Sequence, residues 1–299
     1  RNLQAGPLAP RNFQLELPGA YKAQLTFAEE FSGPLSIYDK AHSPGGLWRT
    51  DYGYSGQNGA GSYSLVNNNE KQIYTSPYFR DHPGDFGESP FVSNADGTLS
   101  IWARPSSNPE IFGYGYTSGM ISTKGTWSQA YGYFEMRADL PDAKGAWPAF
   151  WLLPASGAWP PELDIVESLG DSRLAYTTEH SAVGGHTQTG RSNYIPATAD
   201  GLHTYGAAWS PAEIVWYVDN VEVFRTATPA DMHGPMYMIA NLALGGWAGA
   251  IDDAQLPAQM TIDYIRAWAL PGGVGGALVQ QASALGEALR GGAGGDTLP

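Results

Sequence analysis

The sequence predicts an all-β protein, built as a sandwich of two antiparallel sheets. The 299 residues include 38 Gly and 22 Pro, which suits many short strands joined by turns better than long helices. From Gln24 onward, short runs of aromatic and β-branched residues recur between Gly, Asn, Asp and Pro. Neither a long amphipathic period nor a regular alternation of strand and helix patterns is found, so an antiparallel sandwich is the most economical interpretation.

Six runs are typical of strands, and two of them are joined by a turn signal. The dipeptide Asp219-Asn220 separates two apolar runs, and such a two-residue turn predicts a β-hairpin. The six predicted strands are Leu99–Ala103, Tyr131–Leu140, Glu162–Glu167, Ile214–Val218, Val221–Arg225 and Thr261–Trp268.

The composition excludes several classes of function. The formal net charge is −13, which argues against nucleic acid or an anionic membrane as a partner, because both require clustered Lys and Arg. Cysteine is absent, so disulfides, thiolate nucleophiles and thiolate metal sites are excluded. No apolar run approaches the roughly 20 residues that span a bilayer, and we expect a soluble chain.

The pattern divides the chain into three parts. Residues 1–20 show no clear period and are predicted to form an N-terminal arm, whereas residues 21–270 carry the strand pattern of the sandwich domain. Residues 271–299 begin as a Gly-rich linker, continue as a predicted short helix over Ala277–Arg290, and end in G-G-A-G-G-D-T-L-P. This last segment fits one copy of a calcium-binding nonapeptide, or it is a Gly-rich tail that matches by chance.

The tail resembles the start of the hemolysin-type repeats of proteins that bacteria export by type I secretion. One copy alone cannot form the stacked β-roll that holds calcium between its turns. The resemblance therefore implies a secreted protein whose C-terminal export signal is missing from this chain, which would also explain the lack of an N-terminal signal peptide.

The most informative segment is the strand Glu162–Glu167, which carries three carboxylates. Side chains alternate along a strand, so Glu162 and Asp164 share one face. Glu167 falls on the opposite face of a regular strand, and one extra residue in a β-bulge near Ile165-Val166 would bring it back. The spacing therefore predicts three carboxylates on one surface.

Three carboxylates on one apolar, aromatic-flanked strand are unfavourable unless they perform chemistry or bind a cation. Their mutual repulsion raises the pKa of at least one of them, which leaves a proton donor beside an ionised neighbour. Glycoside cleavage needs this pair, a nucleophilic carboxylate and a carboxylic acid. The alternatives are an acidic, solvated strand edge or a calcium site.

Tryptophans lie close to the carboxylates in the sequence. Trp147 and Trp151 are an even number of residues apart, so they share a strand face. Indole rings stack on sugar rings, and tryptophans beside paired carboxylates indicate a sugar cleft. Each tryptophan taken alone is equally well explained as a core residue.

These segments together resemble glycoside hydrolase family 16, the group of laminarinases, lichenases, agarases and carrageenases. The resemblance extends from about Leu25 to Ala269 and implies a concanavalin A-like β-jelly roll with a concave substrate cleft. The motifs that carry it are WPAFWLLP (147–154), ELDIVES (162–168), NNEKQIY (68–74), YTSGMI (116–121), YGYFEMR (131–137), WYVD (216–219), NLALGGW (241–247) and DYIR (263–266).

The resemblance also implies a role for each carboxylate. Glu162 is the nucleophile, Glu167 is the general acid that later serves as the base, and Asp164 hydrogen-bonds the nucleophile. This arrangement retains the anomeric configuration and predicts carboxyl groups roughly 5–5.5 Å apart. No cofactor is expected for catalysis.

Further residues follow from the same resemblance. Trp147, Trp151 and Trp159 are expected to line subsites, and His180 contacts the sugar or the acid unless it is structural. Asn69 and Trp247 are placed at the ends of the cleft, although Trp247 could equally cap the core. Glu70 is a further candidate.

Many family members hold one structural calcium away from the cleft, and its ligands here would be Glu30 and Asp263. Ion pairing with an arginine is the competing explanation for either carboxylate. Taken together, the sequence predicts a monomeric, endo-acting β-glycanase that cleaves β-1,3- or mixed β-1,3-1,4-glucan. The alternatives are a depolymerase of a succinoglycan-like bacterial exopolysaccharide and a non-catalytic carbohydrate-binding jelly roll.

Overall fold

The structure is a computed structural model that describes residues 24–53, 59–79, 89–108, 111–269 and 280–281. Within these ranges every helix is a short 3-10 turn, and none is long and apolar enough to cross a membrane. The turns are Ala60–Ser62, Val66–Asn68, Pro196–Ala199, Gly246–Ala248 and Asp253–Gln255. The strands are β1 (Gln24–Glu29), β2 (Gln72–Tyr74), β3 (Phe91–Ser93), β4 (Leu99–Pro105), β5 (Tyr116–Ser118), β6 (Met120–Ser122), β7 (Trp127–Ser128), β8 (Gly132–Asp139), β9 (Ala146–Pro154), β10 (Glu162–Glu167), β11 (Leu174–Ser181), β12 (Thr187–Tyr194), β13 (His203–Trp209), β14 (Glu213–Val218), β15 (Val221–Ala227), β16 (Met236–Leu244), β17 (Ala258–Ala269) and β18 (Gln280–Gln281).

The strands form two large sheets, as the sequence predicts. One has ten strands in the order β15-β14-β13-β8-β17-β4-β5-β2, with β1 beside β17 and β3 beside β4. The other has six strands in the order β12-β11-β10-β9-β16-β6. Their pairings are antiparallel, as predicted, with one parallel pair, β2 with β5, at the edge of the ten-stranded sheet.

The core lies between the two sheets because each strand alternates its side chains. In β9, Phe150 and Leu152 are buried in the main apolar cluster. Trp151 instead belongs to a second cluster on the other face of the six-stranded sheet. The main cluster also includes Phe134 and Trp209 of the ten-stranded sheet, so one continuous core joins the sheets.

The predicted hairpin is confirmed at β14 and β15. Val218 pairs with Val221, and the two residues between them, Asp219 and Asn220, have φ values of 49° and 64°. These left-handed conformations are typical of the tight turns that match the twist of a hairpin.

Most of the predicted N-terminal and C-terminal segments lie outside the described residues. This holds for the arm at residues 1–20, the linker and the repeat-like segment. Within the predicted helix Ala277–Arg290 the structure describes only Gln280–Gln281, which form a strand paired with β7. The helix prediction is wrong at these two residues, where backbone pairing with Trp127-Ser128 replaces the local helical pattern.

Candidate active site

A β-bulge in β10 brings the three carboxylates to one face. On β9, Trp151 pairs with Asp164 and Phe150 pairs with Val166, so Ile165 is the extra residue. Ile165 and Val166 are both buried in the core, as expected of two successive side chains at a bulge. The predicted bulge is therefore confirmed, and Glu167 returns to the face of Asp164.

Cross-strand pairing shows what shares this face, which we call the carboxylate face. Residues directly opposite each other on paired strands point to the same side of a sheet. Glu162 pairs with His180 and Glu167 pairs with Tyr176, both on β11. Glu167 also pairs with Ala149 on β9. The face therefore carries the carboxylates along its middle strand, with His180 and Tyr176 on one side and β9 on the other.

Glu162 is held by two ring nitrogens. The indole Nε1 of Trp159 donates a hydrogen bond of 2.7 Å to Glu162 Oε2, and His180 Nε2 lies 3.6 Å from Oε1. Burial, reinforced by the charge of Asp164, raises the pKa of Glu162 to about 8, although His180 and the indole act in the opposite direction.

Glu167 has a tryptophan of its own. Trp147 Nε1 donates a hydrogen bond of 2.8 Å to Glu167 Oε1. Burial raises the pKa of Glu167 to about 7, and the charge of Glu162 adds to the increase while the indole opposes it. Each glutamate thus has a separate indole donor, which holds the two carboxyl groups in defined positions.

Asp164 lies between the glutamates and is the most buried of the three. Its Oδ2 is 3.2 Å from His180 Nε2. Burial and the charge of Glu167 hold the pKa of Asp164 well above its usual range. Each of the three groups therefore loses its proton at a higher pH than an isolated carboxyl group does.

Comparison with known proteins identifies this arrangement. Residues 84–266, which include the whole of β10, match the profile of the glycosyl hydrolases family 16. The chain belongs to glycosyl hydrolase family 16. The family resemblance of the sequence and the jelly-roll sandwich fold are both confirmed.

The chain is also similar to individual members of family 16. It is 43% identical over 274 residues to the endo-1,3-1,4-beta-glycanase ExsH of Rhizobium meliloti, a match that covers 90% of this chain and 56% of the relative. The chain thus spans about half the length of that relative. The catalytic domain of an endo-1,3-beta-glucanase (laminarinase) from Thermotoga petrophila superposes with a TM-score of 0.69 at 28% identity, covering 85% of this chain and all of the other.

A second solved structure shows a family 16 active site with sugar. A mutant of SCLam, a non-specific endo-beta-1,3(4)-glucanase, presents a 1,3-beta-D-cellobiosyl-glucose at its active site. It superposes with a TM-score of 0.66 at 29% identity and covers 88% of this chain and all of the other.

Three of the four predicted tryptophans border the carboxylates with accessible rings. Trp159 is 58% exposed beside Glu162, and Trp247 is 50% exposed. Trp247 packs edge-on against Trp147 and Tyr176, with ring centroids 5.9 and 4.9 Å apart. Trp247 therefore does not cap the core but extends the aromatic wall on the Glu167 side.

Trp151 differs from the other tryptophans. It lies on the carboxylate face opposite Asp164, but only 7% of it is exposed. Its Nε1 donates to Asn241 Oδ1 at 2.7 Å, and Asn241 Nδ2 donates to the hydroxyl of Tyr74 at 3.0 Å. This network holds the Trp151 ring in a buried position, so the contact of Trp151 with sugar stays a prediction.

Asn69 is placed against the turn that carries Trp247. Its carbonyl accepts from the N–H of Gly246 at 3.2 Å, and its side chain accepts from Lys71 Nζ at 2.6 Å. Gly246 has φ of 54°, and a Cβ there would lie 2.8 Å from the ring of Trp147. Glycine is therefore required for the turn to approach the aromatic wall.

Glu70 stabilises the same turn through buried hydrogen bonds. It is buried, and its Oε2 accepts from Gln72 Nε2 at 2.6 Å and from the N–H of Leu65 at 3.2 Å. Gln72 in turn accepts from the N–H of Leu244, next to the Gly245–Gly246 turn. Burial raises the pKa of Glu70 to about 7. Glu70 is a positioning group rather than a group that touches the reacting atoms.

Two contacts at the site are not indicated by the sequence. His186 Nε2 lies 3.0 Å from His180 Nδ1, and its ring packs 4.9 Å from that of Trp159. Trp216 of β14 donates its Nε1 hydrogen to the carbonyl of Asp164 at 2.8 Å. Both contacts depend on how distant segments pack, so only a direct knowledge of the fold reveals them.

The predicted calcium ligands are both engaged by arginines. Arg266 donates to both oxygens of Glu30 at 2.7 Å, and Arg137 forms an ion pair with Asp263. Calcium requires six to eight oxygen ligands, whereas these carboxylates already neutralise guanidinium groups. In this arrangement they do not fit a calcium site, and the competing explanation, ion pairing with arginine, describes both residues.

Proposed function

We propose that this chain is a retaining, endo-acting β-glycosidase that cleaves β-1,3- or mixed β-1,3-1,4-linked glucan. The observation that supports this most strongly is the carboxylate face. Glu162 and Glu167 lie on one side of β10, each with its own indole donor, and Asp164 lies between them. Two such carboxyl groups are the minimum requirement for a double-displacement mechanism.

In the first step the Glu162 carboxylate attacks the anomeric carbon of the sugar. A bond forms between its oxygen and that carbon, the glycosidic C–O bond breaks, and Glu167 gives its proton to the leaving oxygen. The raised pKa of Glu167 supplies this proton near neutral pH.

In the second step the ionised Glu167 removes a proton from water. The resulting hydroxide oxygen attacks the anomeric carbon, and the bond to Glu162 breaks, which restores both residues to their starting state. Two inversions at one carbon give net retention of configuration.

Asp164 and His180 prepare the nucleophile. Attack requires Glu162 to be ionised, although its burial favours the protonated form. The pKa of Asp164 is strongly raised, and the two carboxyl groups share a hydrogen bond, which Asp164 donates once Glu162 is ionised. This hydrogen bond and the one from the Trp159 indole stabilise the anionic carboxylate, and the nearby His180 also favours the ionised form.

The aromatic walls on both sides of the carboxylates support a polymeric substrate. Trp159 and His186 lie on the Glu162 side, and Trp147 and Trp247 lie on the Glu167 side. Rings on both sides of the scissile bond suit sugars bound in both directions, as endo-cleavage requires. The glucan linkages follow from the activities named for ExsH and SCLam.

The test is hydrolysis of a panel of polysaccharides, with products identified by mass spectrometry. Laminarin, mixed-linkage β-glucan and a succinoglycan-type exopolysaccharide should be compared for the wild type, Glu162→Gln and Glu213→Gln. We expect glucan cleavage to oligosaccharides that is abolished by Glu162→Gln and unchanged by Glu213→Gln, a control at the first residue of β14 in the other sheet. Cleavage of the exopolysaccharide alone would favour the depolymerase, and no cleavage at all would favour the non-catalytic binding protein.

We also propose that the protein acts as a secreted monomer, without nucleic acid or membrane partners. A polysaccharide too large to cross a membrane must be cleaved where it is found, outside the cell. The net charge of −13 is unfavourable for binding to polyanions. Sedimentation of the purified protein and fractionation of cultures that produce it test both parts.

A further inference from the structure

Three side chains of the carboxylate face have the spacing of metal ligands. One ligand atom each from Glu162, Asp164 and His180 lies within 4.8 Å of the others. His180 Nε2 is 3.2 Å from Asp164 Oδ2 and 3.6 Å from Glu162 Oε1. Around a tetrahedral Zn²⁺ with bonds of 2.0–2.2 Å, donor atoms are separated by about 3.4 Å. Both measured separations are close to this value.

The neighbouring hydrogen bonds orient the potential metal-ligand atoms toward one another. Trp159 donates to Oε2 of Glu162, so the other oxygen, Oε1, faces His180. His180 shares a hydrogen through Nδ1 with His186 Nε2. When Nδ1 is the donor in that pair, the lone pair of Nε2 faces the carboxylates. Histidine ligands of metals are commonly oriented by such a partner on the second ring nitrogen.

The electrostatics of the cluster favour a cation. The side chains of Glu162 and Asp164 are 16% and 4% exposed, so water screens their charges poorly. The two groups share a hydrogen bond and repel each other when both are ionised. A divalent cation that replaces the shared proton removes this repulsion.

We propose that Glu162, Asp164 and His180 bind one Zn²⁺ ion, with His186 as the residue that orients His180. Two carboxylate oxygens and one imidazole nitrogen, with a further position open to the cleft, are a donor set that suits zinc. Calcium prefers six to eight oxygens and does not suit it. The site lies on the nucleophile itself and differs from the residues Glu30 and Asp263.

Zinc in this site makes the protein reversibly inactive, a consequence that rests on the proposed glycosidase function. The ion binds the Glu162 oxygen that faces His180 and neutralises the carboxylate, so the carboxylate cannot attack the anomeric carbon. Sugar and zinc then compete for one group. The cation binds in place of the shared proton, and no oxidation or reduction occurs.

Zinc binding is measured by isothermal titration calorimetry on the untagged full chain, after treatment with EDTA and its removal. We expect one Zn²⁺ per chain, and no comparable binding of Ca²⁺. His180→Gln should weaken zinc binding by about 100-fold or more. His186→Gln leaves the three ligands in place and should weaken it by about 10- to 100-fold, as expected for a partner that orients a ligand.

The matched control is His203→Gln. His203 also lies beside a carboxylate, with its Nδ1 2.7 Å from Asp219 Oδ2, but it belongs to β13 of the other sheet. This variant should bind zinc as the wild type does. Circular dichroism verifies the fold of each variant. If His180→Gln is unfolded, the zinc affinity of His186→Gln decides the outcome. Absence of zinc binding to the wild type, or undiminished binding by a folded His180→Gln or His186→Gln variant, overturns the proposal.

Inhibition is measured separately on laminarin. We expect competitive inhibition by Zn²⁺, with an inhibition constant equal to the dissociation constant from calorimetry. Stoichiometric zinc binding without inhibition overturns the proposed effect on catalysis. A wild-type protein that binds zinc but, without zinc, cleaves neither glucan nor exopolysaccharide contradicts the glycosidase function, while the metal site itself is upheld.

Discussion

Trp216 donates its indole hydrogen to the main-chain carbonyl of Asp164, 2.8 Å away, from a strand of the opposite sheet. The acceptor lies directly before Ile165, the extra residue of the bulge, where the ladder between β10 and its neighbours is interrupted. A buried carbonyl without a partner destabilises a protein by about 1–3 kcal/mol. The indole therefore stabilises the irregular backbone that positions the catalytic carboxylates.

We expect Trp216→Phe to lower kcat by on the order of 10²-fold while KM changes little, because small displacements of catalytic groups have effects of this size. The control is Trp209→Phe, since Trp209 is equally buried and its Nε1 has no hydrogen-bond partner among the described residues. Steady-state kinetics should separate the two variants. Equal loss of kcat in both would show that general loosening of the core is responsible.

The roles of the two glutamates are distinguished by rescue with azide. In Glu162→Ala, azide can occupy the space of the nucleophile and should give the α-glycosyl azide by a single inversion. In Glu167→Ala, it should attack the glycosyl-enzyme and give the β-glycosyl azide. NMR of the products from an aryl β-glycoside with a good leaving group measures both. Exchanged products would reverse the assignment.

The activity should fall as pH rises through about 7. Burial raises the pKa of Glu167 to about 7, and the general acid must be protonated for the leaving oxygen to depart. The decline should be clear in kcat for laminarin. It should be much weaker in the glycosylation step of a dinitrophenyl glycoside, whose leaving group needs no proton. An identical decline for both substrates would assign the titration to another group.

Stability should respond to the pH through Glu162. Its pKa is raised to about 8 in the folded chain, above the value of about 4.3 for an unfolded glutamate. The folded state therefore binds more protons, and this contribution to stability is complete below pH 4 and is lost as pH rises through about 8. Glu162→Gln should raise Tm at pH 9 by about 2–4 °C for each kcal/mol regained, with a smaller difference at pH 4.

Differential scanning calorimetry across this pH range checks the effect. Glu213→Gln, at an exposed carboxylate, should show no such pH-dependent gain. A Tm difference between wild type and Glu162→Gln that does not vary with pH would contradict the titration.

Calcium removal should not change Tm, because Glu30 and Asp263 are engaged by Arg266 and Arg137. The comparison is thermal unfolding in CaCl₂ and in EGTA. Glu30→Gln should destabilise the protein to the same extent in both conditions, because it breaks an ion pair with a largely buried guanidinium. A calcium-dependent Tm that disappears in Glu30→Gln would instead establish the metal site expected from the family.

The local pattern of the sequence predicts the main features of the catalytic strand. The alternation of side chains along β10, together with the three-residue spacing from Asp164 to Glu167, is sufficient to predict both the bulge and the common face. The turn at Asp219-Asn220 is likewise encoded by adjacent residues. Family resemblance adds Trp147, Trp159 and His180, which the structure brings beside the carboxylates.

Contacts between distant segments could not be predicted in the same way. Trp216 is 52 residues from Asp164, and the sequence gives no indication that β14 packs beneath the bulge. The arginine partners of Glu30 and Asp263 are determined by the pairing of β1 and β8 with β17. Trp151 is typical of a sugar-binding residue in the sequence, but its burial depends on Asn241 and Tyr74 from other strands.

The bulge also limits where β10 can change its length. Loss of Ile165 alone would leave Glu-Leu-Asp-Val-Glu, in which the acids follow strict alternation and keep their present partners on β9. Loss of Leu163 would instead turn Glu162 toward the interior. Insertions and deletions compatible with catalysis are therefore confined to the two residues before the general acid.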